Sequence, residues 1–145
     1  MLQPMDPKQR VLTEAAVLRA NQSFYEAFGR GDFARMDELW ARTAPVACLH
    51  PGAPLISGRG AVLDSWRRIL EGVGTWSLVS REPSVLLFGD VAIVTCLEAN
   101  GNQPAHLIAS NVFVLEERDW RLVHHQAGPL TQPVPARPVA KSSVN

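Results

Sequence analysis

The sequence predicts a single α+β domain in which three helices precede a mainly antiparallel sheet and cover one of its faces. Apolar residues recur at helical spacing only in the first half of the 145-residue chain. The second half contains apolar runs separated by short links such as Gly89-Asp90 and Gly101-Asn102. Links of this length leave no room for a helix between neighbouring strands, so these strands are expected to form an antiparallel meander.

Apolar stripes and capping residues locate the three helices. The first is predicted from Pro7 to Phe28, where Gly29 and Gly31 stop it. Asp32 caps a second helix, and Pro45 ends this pair; the apolar side of the second helix is Phe33, Met36, Leu39 and Trp40. The third ends at Gly72 and carries one apolar stripe: Val62, Leu63, Trp66, Ile69 and Leu70. These stripes give the helices one common side on which to pack against the sheet.

The strands are predicted from runs of apolar and β-branched residues: Val46 to His50, Trp76 to Arg81, Val85 to Phe88, Val91 to Ala99, Ala105 to Glu116 and Trp120 to Ala127. Several of these runs are apolar on both faces, whereas an antiparallel sheet with one solvated face alternates apolar and polar residues. We therefore expect the helices to cover the concave face and a second copy of the chain to cover the outer face, giving a homodimer.

Composition narrows the classes of partner. Lysine plus arginine and aspartate plus glutamate number 14 each and are scattered, which argues against binding to nucleic acid or to an anionic membrane. Cys48 and Cys96 lie in apolar runs, as buried reduced thiols do, and no apolar run approaches the roughly 20 residues of a membrane helix. The expected localisation is cytoplasmic, with a flexible start at 1–7, one domain at 8–130 and a disordered proline-rich tail at 131–145.

The candidate site is a bowl between the helices and the sheet. His50 ends the first strand at the edge of that bowl, and strict alternation along the last strands places Asn111, His124 and Gln126 on the helix-facing side. A single-residue bulge would exchange His124 for His125. The apolar wall of the bowl is expected to come from aromatic residues: Phe24, Trp40, Trp66 and Phe113. Such a lining suits a small apolar or aromatic organic ligand.

The polar residues of this bowl favour acid/base chemistry. The imidazoles of His50 and His124 titrate near neutral pH, and the Asn111 amide is able to donate to a developing oxyanion without ionising. This combination predicts proton transfer at a carbon next to a carbonyl, as in isomerisation, dehydration or cyclisation. The competing interpretation is that His50 is structural and bonds a backbone carbonyl at the strand end.

Neither a metal nor a cofactor is expected. The four histidines show no His-x-x-x-His pair, and the two cysteines are not at ligand spacing. The predicted chemistry therefore depends on the side chains of the chain itself.

The order of these elements resembles the nuclear transport factor 2-like superfamily, in its SnoaL-like and ketosteroid-isomerase-like branch. The local motifs that carry the resemblance are Gly31-Asp32-Phe33, Cys48-Leu49-His50-Pro51-Gly52, Gly58-Arg59-Gly60-Ala61, and Asn111-Val112-Phe113-Val114-Leu115 ahead of Trp120-Arg121-Leu122-Val123-His124-His125. The resemblance covers about residues 8–128. It implies a cone-shaped, cystatin-like fold with a curved, mixed but mainly antiparallel sheet.

The resemblance also implies where the site departs from that of ketosteroid isomerases. The slot of the proton-moving aspartate holds His50, the slot of the tyrosine donor holds Phe24, and the slot of the protonated aspartate donor holds Asn111. Steroid isomerisation by that mechanism is therefore not expected. The leading interpretation is a protein that binds a small organic molecule and uses His50 in acid/base catalysis. A non-catalytic dimerisation or protein-association module, and a protein that sequesters a ligand, are the alternatives.

Overall fold

The computed structural model describes residues 4–72 and 77–138. Three helices lie in this part of the chain, at α1 (Pro7–Arg30), α2 (Phe33–Leu39) and α3 (Arg59–Glu71). The strands are β1 (Ala47–Leu49), β2 (Ile56–Ser57), β3 (Leu78–Phe88), β4 (Val91–Asn100), β5 (Ala105–Glu116) and β6 (Asp119–Val134). None of the helices within the described residues combines the length and the hydropathy needed to cross a bilayer.

The strands form one six-stranded sheet in the order β2-β1-β6-β5-β4-β3. Strands β3 to β6 are the predicted antiparallel meander, and β1 joins it in parallel alongside β6. The helices pack on one face, and the buried apolar residues of helices and sheet form one continuous cluster. The predicted α+β class, with three helices on a mixed but mainly antiparallel sheet, is confirmed.

The junction between α1 and α2 follows the predicted capping chemistry. Gly31 takes the left-handed conformation, with φ of 66°, and its N–H bonds the carbonyl of Phe28 at 3.2 Å. The Asp32 side chain then accepts a hydrogen bond from the Arg35 amide at 3.0 Å, which caps α2. A Cβ at Gly31 would lie 3.3 Å from the carbonyl oxygen of Leu70, so glycine is required by both conformation and space.

Two strands differ from their predicted extents. The predicted strands Trp76 to Arg81 and Val85 to Phe88 form one strand, β3, in which the register shifts between Arg81 and Ser84. Trp76 itself lies outside the described residues. Strand β6 continues to Val134, which pairs with Ala105, so residues 131–134 are not the disordered tail that the sequence predicted.

The extension of β6 has a physical explanation. The last residue of β1 pairs with Gln126, so from there onward one edge of β6 has no partner strand within the described part of the chain. Proline lacks an amide N–H and is tolerated on such a free edge. Pro129 and Pro133 therefore do not stop the strand, although proline content argued for disorder.

Candidate functional site

A β-bulge in β6 decides which histidine faces the helices. Phe113 pairs with Leu122, but the preceding residue of β5, Val112, pairs with His124, so β6 contains one extra residue at Val123. Strict alternation therefore holds up to Leu122 and is reversed beyond it. The prediction that His124 faces the interior is wrong.

The reversal brings His125 into the interior instead. His125 is 1% exposed and lies opposite Asn111 on the neighbouring strand. His124 and Gln126 face the outer side of the sheet, and Gln126 is exposed. The prediction for Gln126 is therefore wrong for the same reason as that for His124, while Asn111 faces inward as predicted.

Asn111 is the centre of a buried hydrogen-bond network. Its Nδ2 donates to Asn21 Oδ1 at 2.9 Å and to Tyr25 Oη at 3.1 Å. Because Nδ2 is thereby used as the donor, Asn111 Oδ1 is the acceptor for His125 Nδ1 at 2.5 Å. Neutral His125 therefore carries its proton on Nδ1, which leaves Nε2 as the basic nitrogen.

Tyr25 and Glu98 extend this network into a ring. The Tyr25 hydroxyl donates to Glu98 Oε2 at 2.7 Å, and the same oxygen lies 3.9 Å from His125 Nε2. Hydrogen bonds thus lead from His125 through Asn111 and Tyr25 to Glu98, which returns to within 4 Å of the imidazole. All four side chains are buried, so their geometry is fixed by one another rather than by water.

Burial shifts the pKa values of both titratable groups at the ends of this network, His125 and Glu98. Desolvation, with smaller effects from the charges of His50 and His124, lowers the pKa of His125 to about 3. Desolvation also raises the pKa of Glu98, although its bond from Tyr25 opposes the change. Burial therefore disfavours the charged form of both groups.

His50 lies one residue beyond β1 and is half-buried. Its Nε2 is 3.0 Å from Ser65 Oγ, and the Ser65 hydroxyl proton is already directed to the carbonyl of Val62 at 2.6 Å. Ser65 must therefore accept from His50 Nε2–H, which leaves Nδ1 as the basic nitrogen. Desolvation lowers the pKa of His50, so the free base is the form present at neutral pH.

The indole of Trp66 connects the two histidines. Its ring centroid is 4.9 Å from that of His50 and 5.7 Å from that of His125. Its Nε1–H is buried and has no hydrogen-bond acceptor among the described residues. Burial raises the pKa of the Cys48 thiol to about 12, and the neighbouring Trp66 indole opposes this change.

The residues of the predicted aromatic wall are buried and their rings contact one another. The rings of Phe24 and Trp66 meet edge to face at 5.4 Å, and Phe24 also lies 5.0 Å from His125. Trp40 and Phe113 are likewise buried. The grooves of about 320, 410 and 530 Å³ on the described surface are lined by other residues, not by these.

Sequence reasoning missed three members of the network: Asn21, Tyr25 and Glu98. The sequence pattern does indicate Glu98, because a carboxylate among the inward-facing residues of an otherwise apolar strand costs free energy to bury unless it has hydrogen-bond partners. Tyr25 lies one residue after Phe24, the position that the resemblance assigned to the tyrosine donor. Its hydroxyl nevertheless lies within hydrogen-bonding distance of Asn111. Among the described residues, no group of three or more histidine, cysteine, aspartate or glutamate side chains is arranged to hold a metal.

Comparison with known proteins agrees with this architecture. The SnoaL-like domain family matches residues 17–132. A candidate dehydratase of the NTF2-like family from Streptomyces avermitilis is 34% identical, with a TM-score of 0.76 over 85% of this chain and 99% of that one. A candidate calcium/calmodulin-dependent protein kinase type II association domain from Thiobacillus denitrificans is 32% identical, with a TM-score of 0.69 over 77% of this chain and 93% of that one.

More distant relatives share the fold or part of their length. A candidate ketosteroid isomerase from Parabacteroides distasonis is 12% identical, with a TM-score of 0.63 over 79% of this chain and 86% of that one, which shows the fold alone. The F-box protein SKIP8 of Arabidopsis thaliana is 23% identical over 120 residues, which are 83% of this chain but 52% of that protein. The chain thus spans about half the length of this curated relative. By its family match and its 34% identical structural relative, the chain belongs to the SnoaL-like domain family of the nuclear transport factor 2-like superfamily.

Proposed function

We propose that the protein binds a small, largely apolar carbonyl compound beside His50 and Trp66 and moves a proton at the carbon next to the carbonyl. Dehydration of a β-hydroxy carbonyl compound is the reaction that these groups suit best. The observation that carries the proposal is the buried Trp66 indole N–H, which lacks an acceptor and lies next to an imidazole whose basic nitrogen faces the Cys48 thiol at 3.9 Å.

An unsatisfied buried donor is costly and calls for an explanation. Leaving an N–H without an acceptor costs about 1–3 kcal/mol, and native proteins contain few such groups. A ligand oxygen that accepts from Trp66 Nε1 would recover this energy. Since the N–H is closed to solvent in this conformation, binding requires a local movement of the side chains around it.

His50 has the properties of the base. Its Nδ1 carries no proton in the neutral form, and Ser65 fixes the ring by accepting from Nε2. A histidine whose pKa is lowered by burial stays unprotonated at neutral pH, so it is ready to accept a proton from carbon.

The buried ring of His125, Asn111, Tyr25 and Glu98 has a positioning role. Both donor hydrogens of Asn111 are used within the protein, so the amide is not free to bind a substrate oxygen directly. Instead the ring holds the His125 imidazole against Trp66. A buried, hydrogen-bonded support of this kind fixes the position of the indole next to His50.

The proposed elimination balances as follows. His50 Nδ1 takes the proton from the carbon next to the carbonyl, and the carbonyl oxygen accepts from Trp66 Nε1–H as negative charge develops on it. The β-hydroxyl leaves with the proton that His50 had taken, which forms water and a conjugated carbonyl product. The candidate dehydratase from Streptomyces avermitilis, at 34% identity, supports dehydration over isomerisation.

The test uses 4-hydroxy-4-phenylbutan-2-one, whose dehydration gives a conjugated enone that is followed by its ultraviolet absorbance. We expect turnover by the wild type and a loss of about 100-fold or more in H50A, which lacks the base. The matched control is H124A, on the outer face of the same sheet, and it should retain full activity. Wild-type protein that neither turns over this ketone nor is stabilised by it in a thermal-shift assay would refute the proposal.

A second candidate function is association through the outer face of the sheet, either as a homodimer or with another protein. Large apolar side chains of that face are exposed in the single chain: Leu86, Phe88, Val91 and Ile108. The 32% identity to a candidate association domain from Thiobacillus denitrificans supports a function in association. Sedimentation velocity should show a dimer that I108E converts to monomer, with H50A still dimeric. A wild-type monomer at micromolar concentration would remove this candidate.

A further inference from the structure

We propose that a second site, an arginine-lined groove at the end of the sheet remote from His50, binds a diphosphate group. The groove lies between α1, α2 and the turn from β5 to β6, and its volume is about 530 Å³, within the range of small-molecule pockets. Five arginines line it, Arg19, Arg35, Arg42, Arg118 and Arg121, against the two carboxylates of Glu38 and Asp119. This local excess of positive charge stands out in a chain whose net charge is zero.

Both carboxylates of the groove are already paired. Glu38 binds Arg35 at 3.0 Å, and Asp119 lies 3.5 Å from Arg121. Arg121 also lies 3.8 Å from Glu116 and donates to the backbone carbonyl of Glu38. The two carboxylates therefore neutralise two of the arginines, and no carboxylate of the groove remains to pair with the other three.

The remaining three guanidinium groups have no such partner. Arg19, Arg42 and Arg118 form no ion pair and no side-chain hydrogen bond with any residue in the described part of the chain. Three like charges around one groove repel each other unless an anion is bound between them. A guanidinium presents parallel N–H donors that match phosphate oxygens, so several such groups around one groove favour a ligand with more than one phosphate.

The groove is separate from the proposed reaction site. It contacts the first residues of β6, Asp119 to Arg121, whereas the end of β1 next to His50 pairs with Gln126. Five residues of strand separate Arg121 from Gln126, which is about 16 Å at 3.3 Å per residue. A diphosphate in the groove would therefore not touch His50, and the site does not depend on the proposed reaction.

The diphosphate belongs either to inorganic pyrophosphate or to a nucleotide. Trp120 lines the same groove and is half-buried against the core, so its indole is a flat surface on which a base could stack. The balanced charge of the chain favours a small molecule over a nucleic acid.

The test is isothermal titration calorimetry at low ionic strength with pyrophosphate, ADP and sulfate in turn. We expect pyrophosphate to bind at least tenfold more tightly than sulfate, and the double variant R42A/R118A to weaken it at least tenfold. R68A, which removes an exposed arginine of α3 outside the groove, is the matched control and should bind as the wild type does. ADP binding more tightly than pyrophosphate would assign the diphosphate to a nucleotide, and equal or weaker ADP binding would assign it to the inorganic ion.

Three results would overturn the proposal. They are no measurable binding of pyrophosphate or ADP by the wild type, equal affinity for sulfate and pyrophosphate, and an equal loss of affinity in R68A and R42A/R118A. The thermal midpoints of the variants are measured in parallel, since all three arginines are surface residues whose replacement should leave the fold intact.

Discussion

Glu116 fixes the segment that leads into β1, and its replacement should destabilise the protein measurably. Its Oε1 accepts from the amide of Arg42 at 2.9 Å, and its Oε2 accepts from the amides of Thr43 and Ala44 at 3.0 and 2.8 Å. The Thr43 hydroxyl also donates to Oε2 at 2.7 Å. These bonds hold the chain three residues before the strand that carries Cys48 and leads to His50.

The size of the effect follows from the pKa of this carboxyl. Burial alone would raise the pKa of Glu116, but the hydrogen bonds outweigh it and lower the pKa from 4.5 to about 2. At 1.36 kcal/mol per unit this corresponds to a ceiling of roughly 3 kcal/mol. Because Glu116 lies at the rim of the sheet, where solvent screens part of the interaction, we expect E116Q to lower the free energy of unfolding by about 2 kcal/mol.

Urea denaturation measures this difference, and E117Q is the matched control because Glu117 is the exposed neighbour with the same charge. A carboxyl whose pKa is lowered by folding contributes its full stability only above its pKa in the unfolded chain. The difference in unfolding free energy between wild type and E116Q should therefore be constant above pH 4.5 and shrink as the pH falls toward 2. A gap below about 0.5 kcal/mol at pH 7, or one equal to that of E117Q, would refute the reasoning.

Further predictions concern the helix junction and the buried ring. G31A should lower the free energy of unfolding in urea by about 1–2 kcal/mol, because φ is positive at this residue. The control is G60A in α3, where nothing lies within 4 Å of the added methyl, and it should be neutral or stabilising. Equal effects of the two substitutions would contradict the assigned role of Gly31. Y25F removes the bond to Glu98 and should cost about 1–3 kcal/mol, so an unchanged melting midpoint would argue against the ring. In nitrogen-15 NMR, His125 should stay neutral with its proton on Nδ1 from pH 8 down to about 4, and titration near pH 6.5 would contradict this. The contribution of His125 to stability should fall as the pH drops from 6.5 toward 3, because only the unfolded chain takes up a proton in that range.

Local patterns were sufficient to predict the helices and the face of most strand residues. Gly31 and Asp32 are residue types typical of a helix end and a helix start, respectively. Period-two alternation correctly predicted that Phe113, Asn111 and Leu122 face the interior. These features depend on residues close in sequence. Expectations of this kind are reliable because the backbone geometry of a helix or a strand repeats along the chain.

The position of the second histidine could not be predicted in the same way. The extra residue at Val123 is not a glycine and leaves no signal in the sequence, yet it reverses every later side chain of β6 and exchanges His124 for His125. Alternation along the strand is compatible with such a bulge but does not indicate where one occurs.

The packing of the bowl and its polar ring depend on residues far apart in the chain. The bond from Tyr25 to Glu98 spans 73 residues and that from Asn111 to Asn21 spans 90, so neither appears in a local pattern. Whether Phe24 and Trp66 line an open cavity or fill it depends on the separation of helices and sheet. That distance is set by the packing of all the side chains together.

In the proposed site, the Trp66 indole N–H donates a hydrogen bond to a ligand oxygen next to His50. The most direct test is the two-dimensional NMR signal of this N–H, assigned by its absence in W66F, during titration with 4-hydroxy-4-phenylbutan-2-one. We predict a saturable downfield shift of the Trp66 signal, with the Trp40 signal unmoved. A Trp66 signal that does not move at saturating ketone, or that moves no more than that of Trp40, would contradict the account.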